Sequence, residues 1–404
     1  MQVRTQLAAI PSPPRTLFMG SFPPRECGIA TFTKDVVDSF DAAFGTTSDV
    51  VAIDEPGGEA RTYTKNVVAR LRQEDRASYK RAALAINAHP ADVLDVQHEY
   101  GLFGGPDGSW FLDVLDEVRK PVVVSLHTVL PKPTDSHRSV ARRLCERADA
   151  VVVLSQTGKN ILVDGYGVDP AKLRVIHHGV PDVPFQTTDA PKAAFGLADR
   201  MVISTFGLIS RGKGLEYGIE AMRSIARRHP EALYLILGQT HPGVRRYEGE
   251  SYRAELEALV GEYGLKNNVK LVDRFLKFDE LLEYLQATDI YLTPYLNPVQ
   301  IVSGTLAYAV GLGKAIVSTP YLYAEELLAH RRGYLAPFRD PDAIAEAVVE
   351  LLDDRWLRRA TERRAYRFGR QMTWPHVARA YARAFADVVP HQVFSAADRL
   401  VRPA

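Results

Sequence analysis

Two histidines stand where short apolar runs end. Val93–Gln97 is followed by His98-Glu99-Tyr100-Gly101, and Val122–Leu126 by His127-Thr128. A histidine in such a place can bond sugar hydroxyls or move a proton near neutral pH. A single one is more often a satisfied structural residue. Two in equivalent places, one beside a carboxylate, favour a shared cleft with His98, Glu99 and His127 as contacts. His177-His178 follows a further run, Leu173–Ile176, and His178 is the member read as facing that cleft.

The second half offers charge and glycine instead. Val202–Phe206 leads into Gly207-Leu208-Ile209-Ser210-Arg211-Gly212-Lys213-Gly214, with a helix expected from Leu215. Two cations among glycines, ahead of unpaired helical N–H groups, make an anion site. A flexible basic turn is the plain alternative, and the P-loop frame GxxxxGK[ST] is absent. Ile290–Pro294 leads to Tyr295, Gln300 and then Ser303-Gly304-Thr305 before another helix. Ser303 and Thr305 suit its cap, Gly304 admits a ligand close to the backbone, and the N–H groups suit a diphosphate. An ordinary N-cap is the alternative there, but two strand-to-anion-loop units in one half outweigh both plain readings. Nearer the start, Gly20 to Ala30, with Gly28, is equally compatible with a ligand loop and a plain turn. No DxD pair ends a strand, since Asp340-Pro341-Asp342 reads as a helix cap. Glu325-Glu326 divides evenly between contacts to ligand hydroxyls and a solvated helix start. No metal-ligand spacing stands out.

Parallel strands must position these groups. Thr16–Met19, Val50–Ile53, Val93–Gln97, Val122–Leu126, Ala150–Leu154 and Leu173–Ile176 read as one set, with amphipathic stretches such as Ala30–Phe40 and Ser136–Arg147 between them. Val202–Phe206, Leu233–Leu237, Val269–Val272, Ile290–Pro294 and Ala315–Ser318 read as a second set. Its helices are expected at Leu215–Arg228, Tyr252–Tyr263, Phe278–Ala287 and Thr305–Val310. The polar, proline-rich stretch Pro181–Pro191 is the join. The expected division is therefore 1–185, 186–371, and a last segment, 372–404, holding a helix at Trp374–Val389 and a tail without clear pattern. Ligands of doubly wound sheets bind beyond the carboxyl ends of the strands, where all these residues fall.

The 404 residues suit two moderate cores, and 46% apolar with 25% charged positions is the profile of a globular protein. A net charge of +1 argues against a nucleic-acid partner. Cys27 and Cys145 are too few for a disulfide scaffold, which favours a reducing compartment. The first twenty residues, broken by Pro11, Pro13 and Pro14, lack the apolar core of a signal peptide, and no run is long enough to span a bilayer. A cytoplasmic location is expected. Peripheral membrane contact stays open, with the Arg-rich stretch Arg355–Arg370 read as a solvated helix face.

Taken in order, ECGIATFT, QHEYGLFGG, SLHT, VIHHGVPD, FGLISRGKGLEYGIEAM, YLTPYLNPVQIVSGTLAYAVGLGKAIVSTPY and RRGYLAPF resemble the retaining GT-B glycosyltransferases of family 4, the mannosyltransferase-like members above all. The resemblance implies an α/β GT-B fold: two Rossmann-like doubly wound domains facing a cleft, with a C-terminal helix returning to the first. It implies a nucleotide-sugar donor (GDP-mannose or a UDP-sugar) on the second domain, a carbohydrate or other hydroxyl acceptor on the first, and no essential metal or cofactor. His127 corresponds to the histidine that contacts the transferred sugar, and Lys213 to the phosphate-binding lysine. Ser303, Gly304 and Thr305 fall on the phosphate-binding loop.

Two departures stand out. Leu208 sits where the family has arginine after the glycine Gly207, leaving Arg211 as the substitute. Gln300 and Tyr308 occupy the places of two glutamates. Gln300 can still bond sugar hydroxyls, but Tyr308 cannot accept two ribose hydroxyls as a carboxylate does. The expected function is hexose transfer from a nucleotide sugar. The alternatives are a GT-B phosphorylase using orthophosphate and a non-catalytic sugar- or nucleotide-binding protein on a degenerate scaffold.

Overall fold

The computed structural model describes residues 13–58 and 60–390. The first twelve residues and the tail His391–Ala404, read above from sequence, lie outside the described residues. Seven parallel strands form the first sheet: β1 Thr16–Gly20, β2 Asp49–Asp54, β3 Val67–Arg72, β4 Val93–His98, β5 Val122–Leu126, β6 Ala150–Val153 and β7 Leu173–Val175. Their order across the sheet is β3-β2-β1-β4-β5-β6-β7. Six more form the second: β8 Met201–Phe206, β9 Ala232–Leu237, β10 Val269–Val272, β11 Ile290–Thr293, β12 Ala315–Ser318 and β13 Tyr334–Leu335, in the order β10-β9-β8-β11-β12-β13. In each sheet the order reverses once, between β1 and β4 and between β8 and β11. Crevices for ligands open at such points, beyond the carboxyl ends of the strands.

The central strands are buried on both faces, so they read as continuous apolar runs and were legible in the sequence. Two strands were not expected. The edge strand β3, VVARLR, buries only Leu71, and β13 is two residues long. Neither needs an apolar run, because an edge strand faces solvent on one side.

The helix Trp374–Val388 crosses back to the first sheet and packs beside the helix Gly28–Phe44. Phe385, wholly buried, meets Phe18 and Phe40 with ring centroids 6.1 and 5.7 Å away. Burial of such a ring is worth about 1.5–3 kcal/mol, enough to hold the crossover. Glu326 ties the two halves together from the other side. Its carboxylate accepts from the backbone N–H groups of Gln156 and Thr157, both at 2.8 Å, and from the Thr157 hydroxyl at 2.7 Å. That carboxylate caps a helix of the first half, so Glu326 departs from both readings left for Glu325-Glu326: it is neither part of the cavity lining nor a solvated helix start.

Candidate active site

A cavity of about 560 Å³ lies between the facing ends of the two sheets. Pockets for small organic ligands typically measure about 300–1,000 Å³. Four loops build most of it, following β1, β8, β9 and β11, with His127 after β5, His178 after β7 and the start of the 278–287 helix completing the walls.

The second half supplies the charge. The end of β8 turns at Gly207, whose φ of +124° only glycine adopts readily. A Cβ there would lie 3.3 Å from Thr305 Cγ2 and 3.8 Å from Lys213 Nζ, so glycine leaves open the space that the lysine and threonine flank. Lys213 Nζ rests 3.9 Å from the centroid of the Tyr295 ring and has no carboxylate partner among the described residues. The Tyr295 hydroxyl meets Thr305 Oγ1 at 2.8 Å, which links the cation to the start of the helix Gly304–Gly311. Ser303 Oγ accepts from Leu306 N–H as the N-cap, and the first turn contains no acidic residue.

The first half supplies a second helix start. Cys27 Sγ caps the helix Gly28–Phe44, accepting from Ala30 N–H at 3.4 Å, and that first turn is also free of acid. Gly28 and Gly304 both line the cavity. Two positive helix ends and one unpaired ammonium therefore converge on one space, an arrangement suited to a diphosphate.

The histidines of the first half complete the wall. Phe32 stands edge-on to both His127 and His178, at centroid distances of 4.7 and 4.9 Å, and touches Trp374 at 5.6 Å. Burial, together with repulsion from His178 and His98, pushes His127 down to about 3. Burial takes His178 down to about 4. Both rings are neutral near pH 7, so they exchange hydrogen bonds with hydroxyls and carry no charge to a phosphate. His178 Nδ1 donates to the Gly179 carbonyl at 2.8 Å, leaving Nε2 bare beside Gly304. A Cβ on Gly304 would lie 2.8 Å from that Nε2.

Several expected contacts are placed elsewhere. Arg211 is turned outward, paired with Glu248 at 3.1 Å and Glu255 at 2.6 Å, so it does not stand in for the arginine missing at Leu208, which itself lines the cavity. His98 is sealed in the core, stacked on Phe103 at 5.3 Å with both ring nitrogens unpartnered. Glu99 accepts from Tyr100 N–H and the Thr128 hydroxyl, closing its own turn away from the cavity. Gln300 donates to the Val302 carbonyl at 3.0 Å and is not part of the lining. Ser303 shapes the loop through its cap, one residue short of the cavity wall. The structure thus brings together His127, His178, Lys213, Gly28, Gly207, Gly304, Thr305 and Tyr308, and leaves out Arg211, His98, Glu99, Gln300 and Ser303.

The lining also contains residues that sequence reasoning missed. Gly238, Gln239 and His241 follow β9 just as Gly207 follows β8, so the same strand-end signal was present. Asp35 gave no such signal, being seven residues into a helix. Its carboxylate accepts from the Tyr308 hydroxyl at 3.3 Å across the cleft. Burial raises Asp35 to about 6, against the opposing pull of that hydrogen bond. Phe275 and Phe278 line the cavity while remaining 53% and 45% exposed, leaving ring surface for a flat ligand group.

Known proteins are similar to this chain in architecture and in sequence. Residues 28–182 match the family described as Glycosyltransferase Family 4, and residues 200–354 match Glycosyl transferases group 1. An uncharacterized glycosyltransferase of Methanocaldococcus jannaschii is 22% identical over 255 residues, spanning 62% of each chain. The D-inositol 3-phosphate glycosyltransferase of Corynebacterium glutamicum is 23% identical over 337 residues, spanning 78% of each. Among solved structures, Anabaena HepE in complex with UDP and glucose superposes with a TM-score of 0.73 at 16% identity, covering 93% of this chain and all of that one, 100%. Sucrose-phosphate synthase of Thermosynechococcus elongatus gives 0.72 at 16% identity, covering 92% and 98%.

Proposed function

This chain is a GT-B glycosyltransferase of the family 4 and group 1 type, and from that premise we propose that it moves a hexose from a nucleotide-sugar donor to a hydroxyl acceptor with retention of configuration. The observation that carries the reading is the meeting, in one cavity, of unpaired Lys213 and two acid-free helix starts with the neutral His127 and His178. Charge builds on the diphosphate as the bond from the anomeric carbon to phosphate oxygen breaks. Lys213 and the N–H groups opening the 28–44 and 304–311 helices stabilise that charge without rearranging, which is where a preorganised site gains most. His127 accepts from a hydroxyl of the hexose and orients it. The acceptor oxygen attacks on the face the leaving group vacates, and its proton passes to a donor phosphate oxygen.

Phe275 and Phe278 offer surface on which a nucleobase can stack. A UDP-hexose is the first donor to test, because HepE, of the same fold, holds UDP and glucose. GDP-mannose, expected from the sequence, is the second. The Corynebacterium relative makes inositol phosphate the first acceptor to try, beside sugars.

The test is thermal stabilisation and product formation with UDP-glucose, UDP-GlcNAc, GDP-mannose, the free nucleotides and orthophosphate. Stabilisation by one nucleotide sugar, with transfer to an acceptor, is the expected result. Stabilisation by orthophosphate with no response to any nucleotide would favour a phosphorylase, and binding without turnover would contradict transfer.

A further inference from the structure

Behind His127 lies a line of buried polar groups that the transfer reaction does not touch. Asp95 and Gln97 on β4, and Ser125 on β5, are wholly buried. Gln97 Nε2 donates to Asp95 Oδ2 at 2.6 Å and to Ser125 Oγ at 3.3 Å. Ser125 Oγ in turn shares a hydrogen bond of 2.9 Å with Tyr381, on the helix that returns from the far end of the chain. The other end of the amide, Gln97 Oε1, lies 2.9 Å from His127 Nε2.

With Asp95 ionised, these contacts fix where one proton sits. A carboxylate only accepts, so the NH₂ of Gln97 faces Asp95 and its carbonyl oxygen faces the histidine. A carbonyl oxygen also only accepts, so His127 carries its proton on Nε2. The opposite order would need a proton on Asp95 and would turn Gln97 Oε1 towards Ser125. His127 Nδ1 is then a bare lone pair. It has no partner among the described residues, and it is not among the nitrogens sealed inside the protein, as both of those of His98 are. His127 lines the cavity.

We propose that Gln97, held by Asp95, is a positioning residue: it fixes His127 as the Nε2–H tautomer and so presents Nδ1 to the cavity as an acceptor for one hydroxyl of the donor hexose. The inference rests on the nucleotide-sugar reading above. It adds a division of labour along β4. The residue at the strand end, His98, is packing, whereas Gln97, one place earlier, faces β5 and reaches the site through His127. Ring orientation set by a hydrogen bond to the second nitrogen is the usual way a histidine's tautomer is chosen. The arrangement makes His127 a reader of hydroxyls. A proton donor to the leaving group would need the cavity-facing nitrogen protonated.

Two measurements test it. Nitrogen-15 spectra of the histidine-labelled protein, recorded at pH 8 because burial raises Asp95 to about 7, report the tautomer directly, with H127Q assigning the signal. The expected spectrum shows a protonated Nε2 and a bare Nδ1. A protonated Nδ1 would overturn the proposal. This measurement needs no donor, so it stands apart from any failure to find one. The second compares wild type, Q97M and the double variant D95N/Q97E for kcat, KM and affinity for the free nucleoside diphosphate. Q97M should lose about ten- to a hundredfold in kcat/KM, with nucleotide affinity changed less than about twofold and much of the loss restored in D95N/Q97E, which keeps the accepting oxygen towards His127 and exchanges the donor and the carboxylate behind it. It should also stop discriminating against the donor deoxygenated at the hydroxyl that His127 reads. Unchanged kcat/KM in folded Q97M, or equal loss of nucleotide affinity, would overturn the proposal. Should Q97M not fold, the wild-type spectrum decides.

Discussion

The two walls of the cavity are built on the same plan and hold different chemistry. In each, a doubly wound sheet reverses its order and opens loops at the reversal. The second-half wall is charged: Lys213 over Tyr295, with Gly207 clearing the space beside it and Gly304 leaving room for His178. The first-half wall has no cation in its lining and two carboxylates, Glu26 and Asp35, beside two buried histidines held neutral around Phe32 and backed by the Gln97 network. On the proposed function, the ammonium for the diphosphate comes from the second half and the hydroxyl-reading histidines from the first, which also lends the start of its 28–44 helix to the anion. A donor with a diphosphate at one end and a sugar at the other fits both only when the walls face each other.

The sharpest way to break this comparison is to remove Lys213, the cation of the lining that has no carboxylate partner among the described residues. Lys213→Ala should lower kcat by about 10²–10³, the scale of losing one group that stabilises charge in the transition state. It should also weaken nucleotide binding, read by steady-state kinetics and calorimetry. Next comes Gly304→Ala, which presses a Cβ against His178 Nε2. The expected cost is about 1–3 kcal/mol in stability, as for overpacking in a core, with weaker donor binding. His178→Ala in the same chain should restore most of the stability, and thermal denaturation checks both.

How far the sequence led is best judged from these residues. Lys213, Gly207, Gly304 and Thr305 were legible because their strands are continuous apolar runs and their loops interrupt them with glycine and charge. His127 was legible for the same reason. His98 carried an equal signal and proved to be core, since strand-end position does not tell which neighbour a ring stacks on. Arg211 was expected beside the phosphate, but Glu248 and Glu255, remote in sequence, hold it outside. Asp35 and Gln97 were invisible: one is a polar position on a helix, the other an interior residue of a strand, and only tertiary contacts give either a role.

Asp35 gives a smaller effect with a definite sign. Its folded-state value is raised to about 6, above the ordinary 3.8, so the folded protein holds the proton more tightly than the unfolded chain. Stability from this group is therefore full below pH 4 and falls as pH rises through about 6. Asp35→Asn should stabilise the protein at pH 8 by roughly 1–2 kcal/mol, and the gain should vanish near pH 4. Melting temperatures across that range check it. The smallest effect belongs to Arg211→Ala. Its ion pairs are exposed and screened by solvent, so they add little to stability, and activity should change less than about threefold. A loss comparable with that of Lys213→Ala would return Arg211 to the phosphate and redraw the charged wall.

The division between walls has one direct test. Calorimetry would give the affinities of UDP and GDP, and of UDP-glucose and GDP-mannose, for wild type, Lys213→Ala and His127→Ala. Lys213→Ala should weaken free nucleotide and nucleotide sugar alike. His127→Ala should leave the free nucleotide within about twofold and remove only the extra affinity that the sugar brings. If His127→Ala weakened the free nucleotide as much as Lys213→Ala does, His127 would act on the diphosphate and not on the sugar, and the assignment would be wrong.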